Sequence, residues 1–185
     1  NATEAYDWAD YLKSRTETVS ERAPLEGIVR GGWQLTYTDT PTELYKALEK
    51  EQKTVNLMYS LGFIASNDTE RGKEPGEVID VLWNGPAFAA GMAPGMKIVA
   101  VNGEAFDVEE LEFALKRAQK DHAPLDILVQ NLSYFSTLHL QYTGGPKYPR
   151  LIRIANTEDL LTPIASAKKT AVSNIETAAV IPQAH

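Results

Sequence analysis

The chain has 185 residues, 43% of them apolar and 23% charged, with a net charge of −7. This composition fits a globular chain with one core plus extensions, and the negative balance argues against nucleic acid or an anionic membrane surface as partner. Cysteine is absent, which excludes disulfides, thiol catalysis and thiolate metal sites, and no apolar run reaches the roughly 18 residues of a membrane span.

Tyr6, Trp8, Tyr11 and Leu12 recur at helical spacing and predict a short first helix. Leu25, Ile28 and Val29 predict a second, ended by Gly31-Gly32. Residues 33–38 (WQLTYT) alternate as a strand does. The polar segment that follows, TDTPTELYKALEKEQK, has a cap at Thr40 with Pro41 at the first helical position. It is expected to be a loop with one or two helical turns. Residues 54–65 (TVNLMYSLGFIA) read as strand, glycine turn, strand, and 66–76 as a polar loop. Residues 77–83 (EVIDVLW) form a strand through Val78, Asp80 and Leu82.

The stretch GPAFAAGMAPGMKIVAVNG (85–103) is rich in turn residues, but its glycines make no phosphate cradle. A dinucleotide fingerprint needs strand, closely spaced glycines, then helix. Here a short helix comes first, then the Pro94-Gly95 turn, a strand, and an Asn102-Gly103 turn. DVEELEFALKRAQK carries Val108, Leu111, Leu115 and Ala118 on one face and is the best helix in the chain, with Asp107 as its cap. Residues 124–130 and 134–142 predict a hairpin ended by Gly144-Gly145-Pro146. Residues 147–165 read as an ordered extension, and the last twenty or so as a weakly ordered or docked arm.

No catalytic constellation emerges. His122, His139 and His185 do not form a His-Glu-x-x-His pair, and there is no Gly-x-Ser-x-Gly. His139 reads as structural or exposed, and His122 as solvated. Trp8, Tyr11 and Trp33 read as core of the N-terminal segment. Asp39, Glu43, Asp68, Glu70, Glu74 and Glu77 lack the spacing of a calcium loop.

The element order from 54 to 142 resembles that of a PDZ domain. SLGF (60–63) looks like the carboxylate-binding loop, GPAFAAG (85–91) the short-helix motif, and PGMKIVAVNG (94–103) the turn-strand-turn motif. The flanks GWQLTYTDTP and YTGGPKYPRLIRIANTEDLL are similar to the C-terminal part of glycyl-aminopeptidase-type zinc metallopeptidases, whose thermolysin-like catalytic domain precedes a PDZ domain. The likeness covers roughly residues 6–165 and is strongest at 77–103 and 142–161.

The resemblance implies a mainly β, α+β fold: a partly open barrel or sandwich capped by two helices. It implies a helical connecting segment at 1–50, a PDZ domain at 51–145 and an extension at 146–185. The chain begins Asn1-Ala2 and is expected to be a piece of a longer protein. Its parent's Zn²⁺ would lie upstream, so this part is expected to have no cofactor and no hydrolytic activity. Its compartment would be the periplasm or outside the cell, with the cytoplasm as the alternative.

PDZ domains bind an extended C-terminus by strand addition. The resemblance therefore implies that the amides of Leu61, Gly62 and Phe63 receive a terminal carboxylate. Ile64 and Ala65 would pair with the peptide, and Val108, Glu112 and Leu115 would wall the groove. Val108 at the first helical position would favour an apolar ligand side chain. Leu61, Phe63 and Leu115 also read as core residues, Val108 as plain packing, and Glu112 as a solvated charge. Two functions are therefore open. One is a peptide-recognition module that binds peptide or protein C-termini. The other is a structural module with an occluded groove, supporting its own catalytic domain.

Overall fold

The structure, a computed structural model, describes residues 7–17, 19, 23–70 and 74–166. Tyr6, the C-terminal arm and His185 lie outside the described residues. The chain divides into two units, one of residues 1–33 and 153–185, the other of 34–152.

The first unit contains helices α1 (Trp8–Glu17), α2 (Glu26–Arg30) and α6 (Leu161–Ala165), none with a buried residue. Arg15 pairs with Glu26 at 3.1 Å and lies over the Tyr11 ring. The turn after α2 is held by main-chain bonds from Ile154 and Leu160 to the carbonyls of Gly32 and Gly31. Asp159 accepts hydrogen bonds from the Thr162 amide, at 3.0 Å, and from the Trp33 indole, at 2.9 Å. These donors, led by Thr162, hold its carboxyl down at about 2.

The second unit carries strands β1 (Trp33–Thr38, all but its first residue), β2 (Thr54–Asn56), β3 (Phe63–Ser66), β4 (Val78–Val81) and β5 (Lys97–Val101). Strands β6 (Glu104–Ala105), β7 (Leu125–Asn131), β8 (Tyr134–Leu140) and β9 (Tyr148–Arg153) complete it, with helices α3 (Glu43–Gln52), α4 (Pro86–Ala89) and α5 (Val108–Asp121). Its sheets run β2-β3-β4, β6-β5-β7-β8 and β1-β9. The strand pairs of the first two are antiparallel. This is a mixed α+β fold, with no closed barrel among the described residues.

The core follows from alternation. Leu125, Ile127 and Val129 of β7 point inward and meet Leu111, Ala114, Leu115 and Ala118 of α5. The α5 residues recur at three and four, so one helical stripe covers the sheet. Asp107 caps α5 through the Glu109 amide, as its position before the apolar stripe predicts.

Two expectations are corrected. Residues 43–52 form a full ten-residue helix rather than a loop with a turn or two. Its cap is Thr42, whose hydroxyl accepts from the Tyr45 amide at 3.2 Å, and Lys53 closes it in the left-handed conformation. The helix has no buried residue, so hydropathy gives it little signal. The strand over 77–83 stops at Val81. Leu82, read as part of that strand, is exposed, because Leu82 to Gly85 make a turn into α4.

Candidate functional site

The loop SLGF and strand β3 lie where the sequence places them, but not on an open edge. β3 pairs with β4 on one side, Phe63 opposite Val81, and with β2 on the other, in the register Thr54–Ser66, Val55–Ala65, Asn56–Ile64. The pairing continues past β2, where the Leu57 amide donates to the Phe63 carbonyl at 3.0 Å. β2 lies on the α5 side of β3. A cavity of about 380 Å³ is lined by Glu49, Lys50, Lys53, Thr54, Val55, Asn67 and Val108, which puts the start of α5 beside β2.

The Leu57 carbonyl takes one of the three amides expected to receive a ligand carboxylate, that of Gly62. It accepts from the Gly62 amide at 2.9 Å, the Ser60 amide at 3.1 Å and the Ser60 hydroxyl at 3.3 Å. Gly62 has φ +81, which a glycine adopts without cost and which turns its amide toward this carbonyl. The loop's own carbonyls face elsewhere: Leu61 accepts from Ala87, and Gly62 from Leu82.

The outer edge of β2 is held by α3. The Asn56 amide donates to Glu49 Oε1 at 2.7 Å, and the Tyr45 hydroxyl donates to the Asn56 carbonyl at 2.8 Å. Tyr45 and Glu49 are four residues apart, on one face of the helix. They take both main-chain groups that Asn56 turns away from β3. The Tyr45 ring meets Tyr148 of β9 edge-on at 5.2 Å. Burial pushes the Tyr45 hydroxyl well above its ordinary range and that of Tyr148 up to about 12.

Beneath the groove, Val55, Leu57, Leu61, Phe63, Ala65, Leu111 and Leu115 are all buried in one cluster. Burying Leu57 and Val55 contributes about 1.5–3 kcal/mol each, so β2 is a seated strand. Of the residues expected to pair with or wall a ligand, Ile64, Val108 and Glu112 are half-buried, with Val108 packed against the core. Val55, Leu57, Tyr45 and Glu49 were not singled out as site residues. The alternation of TVNL, two residues before SLGF, is the signal for the first two. The other two had no signal until α3 was known to lie over β2. His139 pairs with Asp126 at 2.6 Å, with both side chains exposed. The described residues hold no group of three metal-ligating side chains and no helix long and apolar enough to cross a membrane.

Burial raises the Glu49 carboxyl above its ordinary value, the Asn56 amide opposes this, and the charge of Glu112 adds to the rise. A raised carboxyl gives stability that is present at acid pH and lost as pH rises through the raised value. Glu49→Gln keeps the acceptor for Asn56 and removes the charge. Its urea midpoint should match the wild type near pH 4 and move ahead of it by pH 7.5. An equal loss at both pH values would mean that the carboxylate itself is needed.

No known family's sequence profile matches the chain, and no curated protein does. Solved structures that it is similar to include the HtrA3 PDZ domain bound to a phage-derived ligand (FGRWV). That match has 20% identity and a TM-score of 0.31, and covers 65% of this chain and 91% of that one. Another is an aminopeptidase N family protein from Idiomarina loihiensis, at 15% identity and a TM-score of 0.44. It covers 80% of this chain, which spans only 25% of that one. At these values the reading of the site rests on the geometry of this chain.

Proposed function

We propose that this chain is a non-catalytic PDZ-like interaction module whose ligand groove is filled by its own strand β2. It would act as a supporting region of a larger zinc metallopeptidase of the glycyl-aminopeptidase type, in the periplasm or outside the cell. What supports the self-filled groove is one observation: β3 has a partner on each edge, β2 and β4. A strand has only two edges, so an added peptide strand has nowhere to pair until β2 leaves.

The metallopeptidase context rests on the sequence resemblance at 77–103 and 142–161. The residues of this chain do not fit a catalytic zinc, because its three histidines are scattered at 122, 139 and 185. Zinc chemistry is therefore assigned to a separate catalytic domain, which would be this module's own partner.

The test is a nitrogen-15 NMR titration of the whole chain with short peptides that have apolar C-termini, as free acids and as amides. The amides of Leu61, Gly62 and Phe63 should stay in place up to about 1 mM peptide, near the weak end of specific binding. Shifts at these three signals with free acids alone would overturn the self-filled reading and establish an open, carboxylate-binding groove.

A further inference from the structure

We infer that the groove between β3 and α5 is shaped for an internal extended segment with aliphatic side chains two residues apart, and not for a chain terminus. This rests on the reading that β2 is the groove's occupant. β2 is then a portrait of the ligand class, and three features of its seat define that class.

First, the occupant's end point is a neutral carbonyl. Leu57 offers one oxygen to the amides of Ser60 and Gly62 and the Ser60 hydroxyl, and its chain continues into Met58. The segment 57–63 (LMYSLGF) contains no Lys or Arg to balance a carboxylate. The charges along the groove are unhelpful to an anion there. Glu49 and Glu112 already oppose each other. The cations Lys50 and Lys53 line the cavity beside Thr54, at the other end of β2, and Lys53 pairs with Asp68 and Glu70. A terminal carboxylate beside Gly62 would thus bring a third negative charge among buried residues, Leu57 at 1% and Ser60 at 3% exposed, without a paired cation.

Second, both main-chain edges of the occupant are read. The β3 ladder takes one, and Tyr45 with Glu49 take the other at Asn56. An end residue does not need a clamp on both edges, whereas a segment that passes through gains register from it. Third, the side-chain pattern is fixed by burial: Val55 and Leu57 are 3% and 1% exposed, while Thr54 and Asn56 between and before them are half-buried. The groove therefore selects a small β-branched residue and then a leucine-sized one, two positions on.

The experiment empties the groove and refills it. In the full-length chain, Val55→Ser with Leu57→Ser removes the two anchors of β2. The probe is the pentapeptide KTVNL, acetylated at its N-terminus and prepared both as the amide and as the free acid, followed by NMR at Gly62 and Ala65. A matching peptide with serine at both anchor positions is the control. The two KTVNL forms should bind with dissociation constants within about threefold of each other, and the control at least tenfold more weakly. Binding of the free acid alone would overturn the inference while leaving the self-filled groove of the wild type intact.

Should the double serine variant fail to fold, Val55→Ala with Leu57→Ala weakens the same two anchors without burying hydroxyls and keeps Tyr45 and Glu49 in place. It is read in the same way. Absence of binding to either folded variant by both forms also overturns the inference. A response of the unmutated chain to free acids would instead count against the self-filled reading.

Discussion

Phe63→Ala is expected to lower the stability of the 34–152 unit by about 3–5 kcal/mol, the usual cost of emptying a fully buried phenylalanine site. Phe63 is 0% exposed and is the largest fully buried side chain of the core. Its strand is held on both edges, so the backbone has little freedom to collapse into the space left behind. The matched control is Phe113→Ala. That ring is on the outer face of α5 and 57% exposed, and its loss should stay within about 0.5 kcal/mol. Urea unfolding of the two variants separates the roles proposed for Phe63. A loss of less than about 1 kcal/mol at Phe63 would mean that the ring lines an accommodating pocket and is not a member of the packed core.

Gly76→Ala should be nearly as damaging although it adds only one methyl group. Gly76 has φ +102, outside the region that residues with a side chain adopt readily, and a Cβ there would come within 2.5 Å of the Ile98 carbonyl oxygen. That obstacle is main chain and cannot swing aside. Gly76 also stitches two sheets together: its amide donates to the Ser66 carbonyl at the end of β3, and its carbonyl accepts from the Ile98 amide of β5, both at 2.8 Å. Strain of this kind costs about 1–3 kcal/mol by itself, and shifting the β5 backbone adds to it. A loss of about 2–4 kcal/mol is expected. The amide signals of Ser66 and Ile98 should move together, and a loss below about 0.5 kcal/mol would show that the turn can re-form.

The two variants mark where reading the chain succeeded and where it stopped. Most of the strand and helix order between β2 and β8, the cap at Asp107, the hairpin of β7 and β8 and the turns around PAFAAG were legible, because each is written in neighbours. Apolar residues alternate at two or recur at three and four, and Gly, Pro and Asn mark the turns. The SLGF loop and β3 as one side of a groove came only with the resemblance to a PDZ domain. The helix α3 was under-read because its stability comes from outside its own hydropathy. Its cap hydroxyl is at Thr42, and its contacts to β2 are polar, through Tyr45 and Glu49.

Leu57 shows the limit most clearly. As a sequence, TVNL before a glycine turn is simply a strand, and the residues after it fit a loop awaiting a carboxylate. Whether that loop meets a ligand or its own chain depends on which strand takes the free edge of β3. Hydrogen-bonding capacity is the same in both cases, and local propensity does not distinguish them. The sequence by itself determined the α+β class and most of the element order between β2 and β8. Only the tertiary structure decided that β2 pairs with β3, with Leu57 on the amides of Ser60 and Gly62, because edge pairing is a long-range competition settled by packing and by the reach of α3.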